Sequence, residues 1–287
     1  MDGILNINKP KGYTSHDVVA IVRKRLGTKK VGHTGTLDPN ATGVLPICVG
    51  RGTKLASVIS ESSKTYRAQL ILGQTTTTLD VTGEVTGEAD PSHLTQGQIE
   101  EAVMAFQGAI EQIPPMYSAL SVDGVRLYKL ARQGIEIERK PRHVTIHAIK
   151  VVEFTQPHVL TIEVSCSSGT YIRTLCADVG ARLGVGGIMG ELTRIESGGY
   201  TLADSQELET FSVDDLMTLD SIFEGYPRLV IKPAGEKFLL NGNKISVNYA
   251  IGALNAEGGY RVYDQLDKFY GLYEQEKDML KPRIYTG

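Results

Sequence analysis

The chain has 287 residues, of which 41% are hydrophobic and 22% charged, and its formal net charge is −3 at pH 7. This composition is typical of a folded globular protein with one large domain and a smaller one, and it excludes an intrinsically disordered chain. No apolar run is long enough to span a bilayer, and the first residues lack the apolar core of a signal peptide, so we expect a cytoplasmic protein without a membrane partner.

The first predicted elements are a capped helix and a stiff loop. Thr14 or Ser15 can cap a helix whose apolar residues recur at helical spacing, and Gly27 can end it. The loop at 32–46 combines glycines and prolines around one carboxylate, Asp38, and the proline that follows biases Asp38 toward an extended backbone. Taken alone, the loop allows either a turn-capping Asp38 or a reactive one, since Asp before Pro commonly begins a turn.

The middle of the chain predicts a mixture of short strands and helices. Strands are expected at 45–49, 66–72, 143–154 and 159–166, and helices at 53–60, 98–106, 127–132 and 171–183. The threonine-rich run at 74–78 is too polar for a core strand and predicts a loop. Because strands and helices are mixed without a regular βαβ repeat, we favour an α+β fold with a mixed, largely antiparallel sheet.

The C-terminal part predicts a boundary followed by a small β-rich domain. Residues 200–226 carry acidic but no basic side chains, show amphipathic helical spacing and end at Gly225-Tyr226-Pro227. Beyond this point, aromatic residues are interleaved with charged ones, and turns at Asn241-Gly242 and Gly258-Gly259 separate short segments. We therefore divide the chain into a large domain at 1–226 and a small one at 227–287.

Charge is distributed unevenly along the chain, which the net charge conceals. Residues 1–30 and 126–142 are rich in Lys and Arg, and such basic runs can contact nucleic-acid phosphates. A charge run is more often a solvated face, so these two runs alone do not decide in favour of an RNA partner.

Spacing argues against several chemistries. The glycine runs at 50–54 and 184–190 match neither a phosphate-binding loop nor a dinucleotide-binding fingerprint. The two histidines in 143–147 lie on a predicted strand beside no Cys or Glu partner. The cysteines form no Cys-x-x-Cys pair, and we expect them to be small buried residues: Cys48, Cys166 and Cys176. What remains is a site of carboxylate, phenol and guanidinium that uses no metal and no cofactor.

Five motifs occur in an order that is specific to one family. They are Asn8-Lys9-Pro10-Lys11-Gly12-Tyr13-Thr14-Ser15, Gly32-His33-Thr34-Gly35-Thr36-Leu37-Asp38-Pro39, Lys64-Thr65-Tyr66, Pro114-Pro115-Met116-Tyr117-Ser118-Ala119-Leu120 and Gly169-Thr170-Tyr171-Ile172-Arg173-Thr174-Leu175. In these motifs the chain resembles TruB-type tRNA pseudouridine synthases, from about the first strand to the end of the acidic segment. Its tail resembles the short PUA-like domain of the bacterial members, which implies RNA binding.

The resemblance implies a reaction and a central pair of residues. The reaction is the isomerisation of uridine-55 in the T-loop of tRNA to pseudouridine. Uracil is detached from its N-glycosidic bond, turned and rejoined through C5, which needs no cofactor. Asp38 matches the family's nucleophile, and an ordinary Asp is ionised at neutral pH. Arg173 matches its ion-pair partner, for which we expect a bidentate contact.

The resemblance also implies roles for further residues. Tyr66 matches the tyrosine that lies against the target base and serves in proton transfer. His33 matches the histidine that enters the RNA loop when the base is flipped out. The other expected site residues line the base pocket, support the site or contact RNA, or hold Arg173 through a second carboxylate: Tyr171 and Leu192, Lys9, and Asp80, respectively.

The chain departs from the family pattern at two places, and some alternatives stay open. Thr77 stands where the family has a first acidic residue before Asp80, and Ser121 lies near the place where it has Lys after Tyr117-Ser118-Ala119. The alternative functions are a noncatalytic RNA-binding or tRNA-folding module and a pseudouridine synthase for another RNA. The sequence also leaves open whether Asp38 attacks C6 of the base, attacks C1′ of the ribose, or acts through elimination. We expect a monomer.

Overall fold

The computed structural model of the protein describes residues 1–122, 124–254 and 258–287. In these ranges the strands are β1 Gly3–Lys9, β2 Val31–His33, β3 Thr42–Val49, β4 Lys64–Leu72, β5 Gln74–Thr76, β6 Val85–Glu88, β7 Gly108–Gln112, β8 Ser121–Val122, β9 Val125–Arg126, β10 Arg142–Gln156, β11 Val159–Cys166, β12 Gly187–Ser197, β13 Tyr200–Thr201, β14 Gln206–Glu207, β15 Arg228–Ile231, β16 Ile245–Ser246, β17 Ala250–Ile251, β18 Tyr260–Tyr263, β19 Phe269–Glu276 and β20 Met279–Tyr285. The α-helices are α1 Ser15–Leu26, α2 Ala56–Glu61, α3 Gln96–Met104, α4 Leu127–Ala131, α5 Ile172–Arg182 and α6 Glu236–Leu240. Short 3₁₀ helices lie at Gly50–Leu55, Val213–Asp215, Ser221–Phe223, Pro233–Gly235 and Val247–Tyr249.

One large sheet carries the candidate site. Its order is β14-β1-β3-β12-β4-β11-β10-β7, with β2 beside β3 and β13 beside β12. The pairs β1·β14 and β3·β12 are parallel, and the other pairs of this sheet are antiparallel. Helices α1, α3 and α5 bury their apolar residues against the sheet in one core cluster. The prediction of an α+β fold with a mixed, largely antiparallel sheet is confirmed.

Helix α1 begins and ends where its sequence predicts. The Thr14 side chain accepts a hydrogen bond from the Asp17 N–H, and the Asp17 carboxylate accepts one from the Thr14 N–H at 2.8 Å, so the two residues form a capping box. Gly27 ends the helix with φ 61°, a left-handed conformation that favours glycine. The cap also fixes Ser15, whose hydroxyl contacts the loop that carries Asp38.

No sequence pattern predicts β12, although this strand lies in the middle of the large sheet. Its start falls in the glycine run 184–190, where α5 and the strand approach closely. A Cβ on Gly180 would lie 2.1 Å from the backbone nitrogen of Gly187. The strand is also bulged between Met189 and Leu192, which interrupts the alternation that predicts strands. The glycine run therefore serves helix-to-sheet packing.

Several predicted elements differ from those observed. Within the run predicted as a loop at 74–78, Gln74–Thr76 forms β5 and pairs with β6 in a separate two-stranded sheet, so its polar side chains need no core. The helix expected at 53–60 is a 3₁₀ turn followed by α2. The segment 200–226, all of which is described, contains strands and 3₁₀ turns instead of an α-helix. Its apolar residues divide between two core clusters, with Phe211 in one and Phe223 in the other. The segment therefore connects these two clusters.

The strands from β15 onward form a second sheet of six strands in the order β16-β20-β19-β18-β15-β17. Its core contains buried aromatic residues such as Tyr260 and Tyr273. A further cluster joins the two sheets, because it contains Leu272 of β19 together with Ile4 of β1 and Phe223. The predicted β-rich C-terminal part is confirmed, although the turn at Asn241-Gly242 follows α6 and not a strand. The division at 226/227 stays a prediction.

Three smaller expectations concern cysteines, histidines and membranes. The cysteines are buried and free, as predicted: Cys48, Cys166 and Cys176. His143 does have an acidic neighbour, since its Nε2 lies 3.5 Å from Glu111 Oε1 across β10 and β7. Within 1–122, 124–254 and 258–287, no helix has the length and apolar character needed to cross a membrane.

Candidate active site

A pocket of about 460 Å³ opens beside the loop between β2 and β3. Its walls come from that loop, from β4 and β12, and from the segments that precede α4 and begin α5. Several residues predicted from the sequence line it together: Asp38, Tyr66, Tyr171, Arg173 and Leu192. The volume lies in the range of small-molecule pockets. The structure therefore brings residues that are far apart in sequence to one concave surface.

Asp38 begins a turn with its backbone and leaves its carboxylate free for a separate contact. The Asp38 carbonyl accepts a hydrogen bond from the Ala41 N–H at 3.0 Å, so the residue does begin a turn. Its carboxylate is used elsewhere, because Oδ2 lies 3.0 Å from Arg173 Nε. The side chain is 41% exposed. The turn thus leaves an ionic carboxylate accessible from the pocket.

The loop that carries Asp38 is fastened to the first motif of the chain. Ser15 Oγ accepts from the Leu37 N–H at 2.9 Å and donates to the Leu37 carbonyl at 3.3 Å. The Pro39 carbonyl accepts from the Gly12 N–H at 2.8 Å and from Lys9 Nζ at 3.2 Å. These contacts hold the backbone on both sides of Asp38.

Lys9 lies behind the loop and does not line the pocket. It is fully buried, and Nζ also donates to the Pro10 and Tyr13 carbonyls. Burial lowers the pKa of Lys9 to about 8, although the negative charge of Asp38 opposes this shift. Its contacts are those of a residue that supports the loop.

Arg173 connects three segments at the start of α5. Its side chain is 6% exposed; Nε faces Asp38, Nη1 donates to the Thr78 carbonyl at 3.2 Å, and Nη2 donates to the Tyr117 carbonyl at 2.8 Å. Instead of the expected bidentate contact, Nε lies 3.0 Å from one carboxylate oxygen of Asp38, and the hydrogen bonds of the two terminal nitrogens go to carbonyl oxygens. A cation near a helix N-terminus is unfavourable by itself, and nearby carboxylates compensate for it.

Asp80 is the second carboxylate beside Arg173, with Oδ2 3.8 Å from Nε. Its other oxygen accepts from the Thr78 hydroxyl at 2.7 Å and from the Thr82 N–H at 2.9 Å. The preceding Leu79 has φ 64°, which is uncommon for a residue with a branched side chain. A strained, hydrogen-bonded turn therefore holds Asp80 against the guanidinium.

Tyr66 and Leu192 face the pocket from neighbouring strands. Burial is the main cause that raises the pKa of the Tyr66 phenol, so the phenol is neutral at physiological pH. Leu192 is 9% exposed and follows the bulge of β12, where the register against β4 shifts. Such bulges re-aim side chains beside active sites. The pocket therefore has both a phenol and an apolar wall.

Tyr171 is held in place by Gln112, a residue that the sequence did not single out. The Tyr171 N–H donates to Gln112 Oε1 at 3.0 Å, and Gln112 Nε2 donates to the Tyr171 carbonyl at 3.2 Å. Burial raises the pKa of the Tyr171 phenol, and the nearby Ser118 hydroxyl opposes that shift. Gln112 is 2% exposed, so this pair of bonds lies inside the protein.

His33 is the last residue of β2 and lies outside the pocket lining. Its ring contacts the His16 ring edge-on at 5.2 Å, and its Nδ1 accepts a hydrogen bond from the Gly35 N–H at 3.3 Å. Burial, together with smaller electrostatic effects of the neighbouring His16 and Arg194, lowers the pKa of His33 to about 4. His33 is therefore neutral at physiological pH.

Sequence reasoning missed two buried cations that line the pocket, Lys64 and Arg194. Lys64 Nζ donates to the Ser60 and Ser62 carbonyls, and burial lowers its pKa to about 8. Lys64 belongs to a motif quoted for the resemblance, whereas nothing in the sequence marks Arg194. The part of the chain that the structure describes contains no group of three or more His, Cys, Asp or Glu residues that could hold a metal ion.

Two family models match the chain. One, described as TruB family pseudouridylate synthase (N terminal domain), matches residues 23–172, and the other, described as tRNA pseudouridylate synthase B C-terminal domain, matches residues 173–238. Two similar proteins are both named tRNA pseudouridine synthase B. The one from Clostridium kluyveri is 49% identical, over 95% of this chain and 95% of its own length. The one from Alkaliphilus oremlandii is 47% identical, over 93% and 91%.

The fold also resembles that of a solved structure described as "Crystal Structure of a Cbf5-Nop10-Gar1 Complex". The TM-score is 0.73, with 22% sequence identity over 99% of this chain and 85% of the other. At this identity the likeness concerns the fold alone. The family model and the relatives decide the identity, since they match over most of the chain. The chain belongs to the TruB family of pseudouridylate synthases and is an isomerase.

Proposed function

We propose that this protein converts uridine-55 in the T-loop of tRNA to pseudouridine and that Asp38 is its reactive residue. The observation that carries the proposal is the Asp38 carboxylate, which is partly exposed at the pocket and lies 3.0 Å from Arg173 Nε. The relatives' name, tRNA pseudouridine synthase B, supports tRNA as the substrate. The position in the tRNA is inferred from the resemblance of the five motifs.

The reaction rearranges one nucleoside without adding or removing atoms. The bond between C1′ and N1 breaks, the uracil turns, and a bond from C1′ to C5 forms. C5 then loses its hydrogen as a proton, and N1 gains a proton. Asp38 acts on the uridine through its carboxylate, and Arg173 fixes the direction of that carboxylate. Tyr66 lies against the base and serves in the transfer of the C5 proton, for which a neutral phenol supplies both a donor and an acceptor.

Base flipping brings the uridine into the pocket. A base stacked in a folded RNA loop cannot reach a carboxylate at this depth, and unstacking it costs about a few kcal/mol. His33 enters the space that the base leaves. Its neutral state favours this role, because an uncharged imidazole loses less hydration on insertion than a charged one. The aliphatic wall at Leu192 and the phenol of Tyr171 then enclose the base.

Phosphate contacts come from the two basic runs. Arg23, Lys24 and Arg25 lie in the last turn of α1 and are exposed, and so are Arg126 and Lys129 at α4. Such contacts make affinity fall with salt. We assign catalysis to residues 1–226 and an additional RNA contact to residues 227–287.

The test compares two aspartates that each precede a proline. Asp38→Asn keeps the size of the side chain and removes the charge, so pseudouridine formation in a T-stem-loop transcript is lost while the transcript still binds. Asp90→Asn is the matched control, since Asp90 is exposed, precedes Pro91 and does not line the pocket. Pseudouridine is quantified by nucleoside analysis, and binding by fluorescence anisotropy.

Turnover retained by Asp38→Asn would contradict the assignment of Asp38. A wild-type protein that binds the transcript and never isomerises it would support the noncatalytic RNA-binding alternative. Activity on other RNAs but not on the T-stem-loop would support the third function. The three functions therefore give three different results in one assay.

A further inference from the structure

Arg194 is a buried cation without a carboxylate partner. It is 1% exposed on the central strand β12 and is among the largest fully buried side chains. None of the ion pairs among the described residues involves it. Burying an unpaired charge costs several kcal/mol unless hydrogen bonds compensate for it. The Arg194 guanidinium therefore needs hydrogen-bond acceptors, and the positions of these acceptors indicate which segments it connects.

Its carbonyl acceptors lie at the two ends of the loop that carries Asp38. Arg194 Nε donates to the Val44 carbonyl at 2.7 Å, and Nη2 donates to the Gly35 carbonyl at 3.2 Å. Asp38 lies between Gly35 and Val44 in sequence. One planar side chain thus ties the start of the loop to the strand in which it ends.

The same residue lies directly opposite Tyr66. In the antiparallel pair of β12 and β4, Arg194 and Tyr66 are register partners, so their side chains project from the same face about 5 Å apart. On its other side Arg194 is the parallel register partner of Gly43. A Cβ on Gly43 would lie 2.2 Å from the Arg194 carbonyl oxygen, so only glycine allows the two strands this approach.

We propose that Arg194 is a positioning residue for the isomerisation: its guanidinium fixes the Asp38 loop relative to Tyr66, so that the carboxylate and the phenol meet the base from a constant separation. This inference rests on the proposed roles of Asp38 and Tyr66. Arg194 differs from Arg173 because it contacts backbone carbonyls at both ends of the loop, whereas Arg173 contacts the carboxylate itself. The Arg194 charge also acts on Lys9, His33 and Lys64, whose pKa values it lowers, which agrees with its central place.

The test uses Arg194→Gln and Arg194→Lys, with Arg67→Gln as the control. Arg67 follows Tyr66 on β4 but is exposed and pairs with Glu163 at 3.1 Å. We expect Arg194→Gln to lower the single-turnover rate at saturating tRNA about 100-fold, as misplacement of reacting groups does. We expect the Kd for tRNA to stay unchanged. Arg194→Lys keeps the charge but not the planar fork, so it restores only part of the rate. Arg67→Gln keeps the full rate.

A second readout is independent of activity. The Ala41 N–H, which bonds to the Asp38 carbonyl, exchanges with solvent faster when the loop is released. Faster exchange in both Arg194 variants, but not in Arg67→Gln, supports the proposal. A folded Arg194→Lys with the wild-type rate and wild-type exchange overturns it, as does a loss confined to tRNA affinity. If the wild-type protein makes no pseudouridine, the proposed function fails, and the exchange result alone decides whether Arg194 holds the loop.

Discussion

The chain contains two Asp-Pro dipeptides, Asp38-Pro39 and Asp90-Pro91, and both begin turns. Asp90 accepts from the Ser92 N–H at 2.9 Å and from the Ser92 hydroxyl at 2.8 Å, so its own turn uses its carboxylate. Asp38 makes its turn with its backbone carbonyl alone, and its carboxylate contacts Arg173. Local sequence sets the backbone at both sites, whereas a residue remote in sequence decides where the Asp38 side chain is used.

The surroundings of the two turns also differ in whether their partners are near or remote in sequence. The Asp90 turn is exposed, and the hydrogen bonds of Asp90 itself are with residues that follow within three positions. The Asp38 loop is held by Lys9, Ser15 and Arg194, which come from three separate elements. A carboxylate that is fixed by distant partners and still accessible is what a reactive group requires. The comparison can be tested by removing these partners one at a time.

The largest expected effect follows from Arg173→Lys. A Lys ammonium is a single nitrogen and lacks the planar fork whose three nitrogens reach Asp38 and the Thr78 and Tyr117 carbonyls from separate positions, so the carboxylate loses its fixed direction. We expect the single-turnover rate of pseudouridine formation to fall about 100-fold or more. Arg182→Lys, at the exposed end of the same helix, is the control and should leave the rate unchanged. An active Arg173→Lys enzyme would show that Asp38 needs no remote partner.

The sequence predicts much of the fold because local rules are strong where they apply. Helix α1 is marked by a capping residue at Thr14 or Ser15 and by Gly27, and both this helix and β11 lie close to their predicted bounds. Strand β12 is missed because a glycine run and a bulge hide its alternation. The segment 200–226 has helical spacing, but its apolar side chains are captured by two different clusters, which local patterns cannot reveal.

The candidate site also has parts that the sequence predicts and parts that it does not. Asp38, Tyr66 and Arg173 were found only because whole motifs resemble a family, since each of them has an ordinary structural role when considered alone. Their meeting at one pocket depends on sheet order and register, which single motifs do not specify. Arg194 was missed because its place in the site also depends on sheet order and register. Its acceptors are carbonyls at Gly35 and Val44, and backbone carbonyls leave no signature in the sequence.

The second-largest expected effect is a pH dependence of the free energy of unfolding caused by Lys9, which is buried behind the Asp38 loop. Folding lowers the pKa of Lys9 from 10.5 to about 8, mainly through burial. Between these values the unfolded chain binds a proton that the folded chain has released, so stability rises with pH, by at most about 1.4 kcal/mol per pH unit for one group. Lys9→Met should remove this part of the rise in urea-unfolding experiments between pH 8 and 10.

Lys11→Met provides the control for that measurement. Lys11 is exposed and pairs with Glu191 at 3.3 Å, so its loss should leave the slope of stability against pH unchanged. From about pH 9 the buried cysteines, whose pKa values burial raises above 9.0, contribute in the opposite direction, and above pH 10 buried tyrosines do so as well. The prediction therefore concerns the difference between Lys9→Met and wild type. The same slope in Lys9→Met and wild type would contradict a charge penalty at Lys9.

A smaller expected effect concerns the prolines of the two Asp-Pro dipeptides, Pro39 and Pro91. Replacing a proline that fits its turn increases the entropy of the unfolded chain and lowers stability by about 0.4–1 kcal/mol. We expect this loss for both Pro39→Ala and Pro91→Ala, measured by chemical unfolding. Only Pro39→Ala should also slow pseudouridine formation, since Pro39 restricts the backbone of Asp38. Equal rates for the two variants would mean that the contacts of the loop hold Asp38 without help from the proline.

The smallest effect concerns the acid limb of the stability curve and the Asp90 turn. The Ser92 N–H and hydroxyl hold the pKa of Asp90 below its usual 3.8. A carboxyl group with a lowered pKa stabilises the folded state above 3.8, and that contribution is lost as pH falls through the folded pKa. Asp90→Asn should therefore lower the melting temperature slightly at neutral pH and not at all at the acid end of the curve, with unchanged pseudouridine formation. If the difference in melting temperature between Asp90→Asn and wild type did not change with pH, the stabilisation would come from the shape of the side chain. The charge of an Asp-Pro turn would then matter only where it pairs with a cation distant in sequence, as Asp38 does with Arg173.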